Sequence, residues 1–548
     1  MTAAALSGLV LAHLAAAGVG HVVASPGSRD APLLLGAVRA AAAGRITLDM
    51  RIDERDAGFT ALGMARASGR PVAVVTTSGT AVGNLLPAVM EASHAGVPVV
   101  VVSADRPAVL AGTGANQTTR QAGIFGGFVR ADAMLDATAG PGDVRHRVAR
   151  LVAAATGIRG AGPGPVHLNL ALDPPLVPDP DDGDPSWPAV DPVRFASGPE
   201  PASEELAPAR TVVLAGDAAP DTVPGPVRLP AVPVLAEPSS NLRHPGAIAT
   251  YRLLLTTGLA ERIERVVVVG HPTLSRPVGR LLSRGDIEIV VVSDRLDWPD
   301  PGRAADRVLP AFPHIPPDPA WAEQWRAADE RLCVRLATLL AGLPGPTGPE
   351  VAAAVVAATG PGDWLVLGAS QSIRDADLAP IPARPPYVLA NRGLSGIDGT
   401  VATATGVGLA TGRPVTALLG DVTLAHDVGG LLVGPAERTP AMRLVVVNDD
   451  GGSIFHTLEQ GDPRFDAGPY AGAFERVFAT PHGIDVAALA RAYGWVHTRV
   501  TDRDALAAAL AVPVVGRTLI EVVVDRTGRR ELDRAIRDLA AIRDLAGG

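Results

Sequence analysis

The stretch Gly63-Met64-Ala65-Arg66-Ala67-Ser68-Gly69-Arg70-Pro71-Val72 recurs in shorter form as Gly408-Leu409-Ala410-Thr411-Gly412-Arg413-Pro414-Val415. Each copy has the small residues of a closely packed helix, then a Gly-Arg-Pro turn, then an apolar run typical of a buried strand. We therefore predict buried strands at residues 72–75 and 415–419. The repeat indicates two related α/β domains, each with a parallel sheet flanked by helices.

Two proline-rich stretches, residues 172–192 and 343–349, divide the rest of the chain. Between them, predicted strands at 211–215, 266–269 and 287–292 are followed by glycines, as in a Rossmann-like unit, but no complete Gly-x-Gly-x-x-Gly is present. We predict three domains: an N-terminal domain at 1–178, a Rossmann-like middle domain at 193–342 and a C-terminal domain at 350–548. Further strands are expected at 21–24, 97–103, 166–171 and 444–447, and a helix at 81–93.

The composition excludes several classes of chemistry. The chain has no lysine, so its 48 basic residues are all arginines. A pyridoxal-phosphate Schiff base and a Walker-type phosphate loop both need lysine. The single cysteine excludes an intrachain disulfide and a cysteine-based metal cluster. A net charge of −9 argues against a general nucleic-acid binder.

The sequence also predicts where the protein works. It has no apolar run of about 20 residues, which a membrane span requires. The start, Met1-Thr2-Ala3-Ala4-Ala5, lacks the basic segment of a secretory signal. We expect a cytoplasmic enzyme.

Two aspartates follow predicted strands of the C-terminal domain. Asp421 comes directly after strand 415–419 and its glycine, and Asp449 follows strand 444–447. Ligands collect at the carboxyl edge of such sheets, and carboxylates with the Gly451 carbonyl would suit Mg²⁺ on a diphosphate. Two ordinary helix-capping aspartates remain an alternative.

The N-terminal domain offers a glutamate and a possible anion-binding turn. Glu54 has apolar neighbours in sequence, Ile52, Ala57 and Phe59, so its carboxyl group either titrates unusually or pairs with Arg51 or Arg55. Ser78-Gly79 follows strand 72–75 and precedes a helix, whose backbone amides could hold an anion. The alternative for Ser78 is a plain helix cap.

A set of arginines follows predicted strands and loops at sheet edges. Arg29 lies in the turn Ser25-Pro26-Gly27-Ser28-Arg29, and the others are Arg106, Arg276, Arg374 and Arg392. Each alone could be a surface residue. Together they favour a substrate with several carboxylates, which guanidinium groups bind in a bidentate manner.

In its Glu54 element, its duplicated domains and its two strand-end aspartates, the chain resembles the thiamine diphosphate-dependent 2-oxoacid decarboxylases and carboligases. The motifs that carry the resemblance are Ser-Pro-Gly-Ser-Arg-Asp-Ala-Pro-Leu at 25–33, Ile-Asp-Glu-Arg-Asp-Ala-Gly-Phe at 52–59, Thr-Thr-Ser-Gly-Thr-Ala-Val at 76–82, Ala-Asp-Arg-Pro at 104–107, Gly-Ala-Asn-Gln at 114–117, Asn-Arg-Gly-Leu-Ser-Gly-Ile-Asp-Gly at 391–399 and Asn-Asp-Asp-Gly-Gly-Ser-Ile-Phe at 448–455. They span nearly the whole chain, and the middle domain matches least. The implied fold has pyrimidine-binding and diphosphate-binding domains flanking a Rossmann-like middle domain.

The resemblance implies a role for each matching residue. Glu54 would be the catalytic glutamate that activates the cofactor at its pyrimidine. The implied metal ligands are Asp421, Asp449 and Gly451. The implied cofactor-binding residues are Glu54, Ser78, Gly79, Ile397, Asp421, Ile454, Phe455 and Leu458. The implied substrate-binding residues are Ser28, Arg29, Arg106, Asn116, Gln117, Arg276, Ser370, Arg374 and Arg392.

Within this family, the chain resembles the carboligases of menaquinone biosynthesis. That resemblance implies decarboxylation of 2-oxoglutarate and 1,4-addition of the succinyl carbanion to isochorismate, with thiamine diphosphate and Mg²⁺, or Mn²⁺ in its place, as cofactors. It also implies a homodimer, or a dimer of dimers. Another carboligase or decarboxylase of this cofactor, or a binding protein without turnover, is the alternative. The arginine set argues against the first alternative, and the retention of Glu54, Asp421 and Asp449 argues against the second.

Two positions depart from related sequences. The wider family usually has asparagine where this chain has Asp449, which adds a negative charge beside the diphosphate. Some relatives have a lysine before the position of Arg276, where this chain has Ser275. We expect the first departure to increase the dependence of the site on its metal.

Overall fold

The computed structural model describes residues 1–158, 160, 162–178, 187–195, 202–217, 231–465 and 467–541. Its contacts divide the chain into two compact units. Unit 1 comprises residues 1–199, 393–412 and 427–440, and unit 2 comprises residues 200–392, 413–426 and 441–548. In the description that follows, each unit is taken by itself.

The N-terminal sheet is parallel throughout and lies in unit 1. Its strands are β1 (His21–Ala24), β2 (Thr47–Met50), β3 (Val72–Thr76), β4 (Val99–Asp105), β5 (Asp132–Leu135) and β6 (Val166–Ala171), in the order β2-β1-β3-β4-β6-β5. The surrounding helices are α1 (Ala3–Ala16), α2 (Ala31–Ala42), α3 (Glu54–Ser68), α4 (Thr80–Asn84), α5 (Leu86–Ala95) and α6 (Pro141–Ala155). Every residue of β3, β4 and β6 is buried, as expected for strands covered on both faces.

The middle sheet is also parallel and lies in unit 2. Its strands are β7 (Thr211–Ala215), β8 (Val234–Ala236), β9 (Arg265–Val269), β10 (Glu288–Val292) and β11 (Arg307–Leu309), in the order β11-β10-β9-β7-β8. The helices of this segment are α7 (Tyr251–Leu254), α8 (Gly258–Glu261), α9 (Arg276–Leu281) and α10 (Pro319–Ala341). Trp321 and Trp325 of α10 are fully buried against valines of the sheet.

The C-terminal sheet repeats the topology of the first. Its strands are β12 (Trp364–Leu367), β13 (Tyr387–Leu389), β14 (Val415–Gly420), β15 (Met442–Asn448), β16 (Val496–Val500) and β17 (Arg517–Val523), in the order β13-β12-β14-β15-β17-β16. The helices along this segment are α11 (Gly348–Ala358), α12 (Gln371–Ala376), α13 (Thr400–Thr411), α14 (Asp421–His426), α15 (Val486–Ala492), α16 (Arg503–Ala511) and α17 (Arg529–Asp538). Strands β3 and β14 occupy equivalent positions in the two orders.

The repeated sequence stretch forms the predicted helix, turn and strand in both copies. Helix α3 ends at Gly69 with φ of 65°, and α13 ends at Gly412 with φ of 64°. This left-handed conformation favours glycine and ends a helix by satisfying its last carbonyl groups. The predicted fold class is therefore confirmed, and the predicted strands lie within two residues of the observed ones at each end.

Glycine also lets α3 and α13 approach closely inside unit 1. A methyl carbon added at Gly63 of α3 would lie 2.1 Å from the Thr403 carbonyl oxygen. One added at Gly406 of α13 would lie 2.1 Å from the Thr60 carbonyl oxygen. The contact between the two helices thus requires Gly63, which lies in the first copy of the repeat, and Gly406, which lies two residues before the second copy.

One predicted helix is wrong as a single element. The helix expected at 81–93 forms two, because α4 ends at Asn84 and α5 starts at Leu86. Pro87 has no amide hydrogen, so it cannot make the hydrogen bond that would continue α4. The predicted linker 172–192 lies partly outside the described residues, and the three predicted domain ranges stay a prediction, although each encloses one of the three sheets.

Candidate active site

Glu54 is the first residue of α3. Asp53 caps this helix by accepting a hydrogen bond from the Arg55 amide. The Glu54 carboxylate is half-buried, and its Oε2 accepts a hydrogen bond from Asn84 Nδ2 at 3.0 Å. This carboxylate therefore meets a side-chain amide of α4, a partner that was not considered from sequence. Of its expected apolar neighbours, Phe59 is buried, but Ile52 is 73% exposed.

The turn after β3 is held by a reciprocal pair of hydrogen bonds. Ser78 Oγ donates to the Gln117 carbonyl at 3.0 Å, and Gln117 Nε2 donates to the Ser78 carbonyl at 2.8 Å. Gly79, with φ of 86°, is the N-cap of α4, and no side chain caps this helix. The helix-cap alternative for Ser78 is thus wrong, because Gly79 is the N-cap and the Ser78 hydroxyl donates to the Gln117 carbonyl instead.

A buried chain of amides and carboxylates connects this turn to Arg106. The Gly79 amide donates to Gln121 Oε1 at 3.2 Å, and Gln121 Nε2 donates to Asn169 Oδ1 at 2.7 Å. Asn169 Nδ2 then donates to Asp105 Oδ2 at 2.8 Å, while Asp105 Oδ1 accepts from the Arg106 amide at 2.7 Å. Sequence reasoning missed Gln121 and Asn169, because nothing in their local pattern indicates that they meet.

Arg29 and Arg106 are brought together in unit 1. Arg29 is buried and donates from Nη1 to the Leu172 carbonyl at 2.8 Å. Burial lowers the pKa of Arg29, and the neighbouring charge of Arg106 lowers it further. The carboxylates of Asp173 and Asp105 oppose this lowering of the pKa. Two neighbouring like charges favour an anion between them. Ser28 and Asn116 are exposed on the adjoining loops, and Ile397 is half-buried ahead of α13.

Asp421 is the first residue of α14, at the carboxyl end of β14, and is almost fully buried. Its Oδ1 accepts from the Val422 amide at 2.8 Å, and its Oδ2 accepts from the Gly451 amide at 2.9 Å. His482 Nε2 lies 3.0 Å from the same Oδ2. Burial raises the pKa of Asp421, and these hydrogen bonds oppose the rise.

Asp449 follows β15 and is close enough to Asp421 for their charges to interact. Burial raises the pKa of Asp449 to about 7, and the charge of Asp421 contributes to the rise. Its Oδ1 is buried with no hydrogen-bond partner among the described residues. A buried, unpartnered carboxylate oxygen beside a second carboxylate is the arrangement that a divalent cation would stabilise.

The loop after Asp449 can be built only around glycine. Gly451 has φ of 146°, and a methyl carbon there would lie 2.4 Å from the Ala479 carbonyl oxygen. Arg526 Nη1 donates to the Asp449 and Asp450 carbonyls at 2.8 and 2.7 Å and so fixes the loop from the other side. Sequence reasoning missed both His482 and Arg526, which lie in distant loops.

The apolar residues that were predicted to line the cofactor pocket come directly after this loop in the chain. Ile454 and Phe455 lie in a 3₁₀ turn, and Leu458 ends it; all three are half-buried. The Phe455 ring lies 5.8 Å from the Phe478 ring, centroid to centroid.

Three of the remaining predicted substrate residues, Ser370, Arg374 and Arg392, lie near one another in unit 2. Arg374 of α12 donates from Nη1 to the Ser370 carbonyl at 2.6 Å. Burial lowers the pKa of Arg374, and the charges of Arg392 and Arg252 add to this. Arg392 is buried, whereas Arg276, the first residue of α9, is exposed.

The residues present fit the implied cofactor and metal. Asp421, Asp449 and the Gly451 carbonyl offer oxygen donors, which Mg²⁺ prefers. Across the described ranges, no three His, Cys, Asp or Glu side chains form a metal cluster, so a metal here would depend on two carboxylates and a carbonyl. In the part of the chain that the structure describes, no helix has the length and apolar character needed to cross a membrane.

Comparison with known proteins shows the family to which the chain belongs. Residues 5–124 match the family model for the thiamine pyrophosphate enzyme, N-terminal TPP binding domain, and residues 368–522 match that for the C-terminal TPP binding domain. The chain is 49% identical to the 2-succinyl-5-enolpyruvyl-6-hydroxy-3-cyclohexene-1-carboxylate synthase of a Nocardioides species, over 98% of both chains. It is 48% identical to the Kineococcus radiotolerans synthase of the same name, over 98% of both chains, and 47% identical to that of an Arthrobacter species, over 96% of this chain and 90% of the relative. The chain therefore belongs to the 2-succinyl-5-enolpyruvyl-6-hydroxy-3-cyclohexene-1-carboxylate synthases, within the thiamine diphosphate-dependent enzymes.

Proposed function

We propose that this protein decarboxylates 2-oxoglutarate and adds the remaining four-carbon unit to isochorismate in a 1,4-addition, which releases CO₂ and forms 2-succinyl-5-enolpyruvyl-6-hydroxy-3-cyclohexene-1-carboxylate. The observation that supports this most strongly is the identity of 47–49% to synthases of that name over nearly the whole chain. The reaction would serve menaquinone biosynthesis.

The residues of unit 1 would bind the cofactor's pyrimidine and part of the substrates. When bound, thiamine diphosphate supplies the electron sink for decarboxylation and carbon–carbon bond formation. Glu54 would hydrogen-bond the pyrimidine ring and hold the proton that favours its imino tautomer. The Asn84 contact supports this role, because it fixes the carboxylate orientation at the start of α3.

The residues of unit 2 would hold the metal and the diphosphate. Asp421, Asp449 and the Gly451 carbonyl would bind Mg²⁺, or Mn²⁺ in its place. Two observations on Asp449 support this assignment: its buried Oδ1 has no hydrogen-bond partner among the described residues, and its pKa is raised. A bound cation would stabilise the ionised carboxylate in this position. Ile454, Phe455 and Leu458 would line the cofactor pocket. Ile397, which lies in unit 1, would support the bent shape of the cofactor.

The arginines favour this reaction over other carboligations. 2-Oxoglutarate and isochorismate bring four carboxylates between them, and Arg29, Arg106, Arg374 and Arg392 are buried or partly buried cations that could hold them. A carboligase acting on pyruvate alone would need fewer. Arg276, Ser28, Ser370, Asn116 and Gln117 would complete the substrate contacts.

The direct test mixes the protein with thiamine diphosphate, Mg²⁺, 2-oxoglutarate and isochorismate. We expect isochorismate to disappear only when all components are present, with one CO₂ released for each molecule consumed. Release of CO₂ from 2-oxoglutarate without isochorismate consumption would favour a simple decarboxylase. Acetohydroxyacid formation from pyruvate would favour the other carboligase.

We also propose that the chain acts as a homodimer or a dimer of dimers, as its family resemblance implies. Light scattering on the holoenzyme should then give twice or four times the chain mass of 55.9 kDa. A mass of one chain at assay concentration, with full activity, would contradict this. The cytoplasmic location stays a prediction.

A further inference from the structure

A buried carboxyl group accepts hydrogen bonds from the backbone of the loop between β9 and α9. Glu237 follows β8 and is 1% exposed. Its Oε1 accepts from the Thr273 amide at 3.0 Å and from the Leu274 amide at 2.8 Å. Burial raises the pKa of Glu237 to about 8, Asp377 contributes to the rise, and Arg392 opposes it. The backbone of this loop is therefore fixed just before α9, which begins at Arg276.

The same loop holds Arg392. Thr273 Oγ1 accepts from Arg392 Nε at 3.2 Å and from Nη2 at 2.6 Å. Arg392 is 2% exposed, and its Nη1 is buried with no hydrogen-bond partner among the described residues. Thr273 thus occupies one edge of the guanidinium group. The N–H groups at the other edge are left for a carboxylate, which they match geometrically.

The surroundings of Arg392 carry more positive than negative charge. Arg374, Arg252 and Arg243 lie nearby, and Arg252 and Arg243 are 3.5 and 3.9 Å from the carboxylate of Asp377. Asp377 is fully buried and also accepts a hydrogen bond from the Tyr251 hydroxyl at 2.8 Å. Asp375, the other carboxylate near Arg374, is paired with Arg529 at 2.8 Å. The remaining two carboxyl groups, those of Asp377 and Glu237, face four arginines, so an anion that enters this cluster would reduce its charge imbalance.

We propose that Thr273, held by Glu237, is a positioning residue that turns the unpartnered edge of Arg392 toward a substrate carboxylate. This inference rests on the proposed function, because it requires Arg392 to bind substrate. Neither Thr273 nor Glu237 contacts substrate in this proposal. They act by fixing which guanidinium nitrogens are available, and Glu237 also fixes the loop that carries Arg276.

The test compares two substitutions at one position. Thr273→Val keeps the branched shape but removes the hydroxyl acceptor, and Thr273→Ser keeps the acceptor. With holoenzyme, we expect Thr273→Val to raise KM for one of the two substrates roughly tenfold or more, as for loss of an ordered charged hydrogen bond, with kcat and thiamine diphosphate affinity little changed. Thr273→Ser should resemble the wild type. Thr273→Ala is a second variant that lacks the acceptor, should Thr273→Val fail to fold.

A double-mutant cycle separates positioning from a general structural effect. In an Arg392→Ala background, Thr273→Val should cause no further rise in KM. An equal rise with and without Arg392, or indistinguishable Val, Ala and Ser variants, would overturn the inference.

Calorimetric titration of each variant with 2-oxoglutarate and with isochorismate gives the same comparison without turnover. If the wild type failed to consume isochorismate, the proposed function would fail. The binding comparison would still decide whether Thr273 controls the anion affinity of Arg392: unchanged affinities for both ligands in Thr273→Val would overturn that role.

Discussion

Glu54 starts α3 with a half-buried carboxylate that is bonded to Asn84. Glu54→Gln keeps the size and one hydrogen bond but cannot hold an acidic proton at the same atom. We expect turnover to fall by roughly 10²- to 10⁴-fold, the range for loss of a proton-transfer group. Cofactor affinity, measured by calorimetry, should change little, since the fold is retained. Turnover near that of the wild type would remove Glu54 from the chemistry.

Asp449 should make metal binding depend on pH. Its pKa of about 7 means that the carboxyl group is mostly protonated at pH 6 and mostly ionised at pH 8. A cation needs the ionised form, so Mg²⁺ affinity should fall about tenfold for each pH unit below 7. The measurement is the Mg²⁺ concentration that half-saturates cofactor binding at pH 6, 7 and 8.

Asp449→Asn provides the control for this pH dependence. The amide keeps an oxygen donor but has no proton to lose, so the slope should flatten between pH 6 and 8. An unchanged slope in the variant would assign the titration to another group.

At the scale of elements, the contact between α3 and α13 depends on glycine. Gly63→Ala would place a methyl group 2.1 Å from the Thr403 carbonyl oxygen, which forces the helices apart. We expect a loss of about 1–3 kcal/mol in the free energy of unfolding, as for other overpacked sites. Gly8→Ala in α1 is the matched control: its methyl group meets no atom within 4 Å, so it should stabilise the protein by roughly 0.5–1 kcal/mol. Both are measured by denaturant unfolding, and equal effects would contradict the close contact.

The link between β8 and the loop before α9 should weaken at high pH. The pKa of Glu237 is about 8 in the folded protein, above its ordinary value of 4.5. Its contribution to stability is therefore fully present below pH 4.5 and is lost as pH rises through about 8. Glu237→Gln has no charge to bury, so its melting temperature relative to the wild type should rise between pH 5 and pH 9. A constant difference across this range would contradict the raised pKa.

At the scale of the whole molecule, cofactor and metal should stabilise the protein together. A ligand that binds only the folded chain adds about 2.7 kcal/mol to stability at 100 times its Kd. We expect thiamine diphosphate with Mg²⁺ to raise the melting temperature by several degrees, and either one alone to raise it much less. Asp421→Ala should lose the joint effect and keep the melting temperature of the free protein. A full shift in the presence of EDTA would contradict the metal assignment.

Much of the fold could be predicted from the sequence, because it depends on local patterns. The apolar runs gave strands β3, β7 and β14 within one residue, and the repeated Gly-Arg-Pro turn located both helix ends. Motifs such as Ile-Asp-Glu at 52–54 and Asn-Asp-Asp-Gly at 448–451 are contiguous, so the resemblance they carry pointed to the cofactor and the reaction. Local patterns alone were therefore enough to indicate the class of the sheets, the family and the candidate site residues.

The partners of those residues were decided only by the tertiary structure. Gln121 meets Gly79 and Asn169, and His482 meets Asp421, through contacts between loops far apart in the chain. Glu237 and Thr273 lie in the segment of the middle sheet, which matched the family least, yet Glu237 binds the Thr273 amide and Thr273 binds Arg392. A pKa of about 7 for Asp449 likewise follows from burial and from the charge of Asp421, neither of which a strand pattern records. Local sequence sets backbone conformation, whereas the hydrogen bonds and electrostatics of a site depend on groups that only folding brings within a few ångströms of each other.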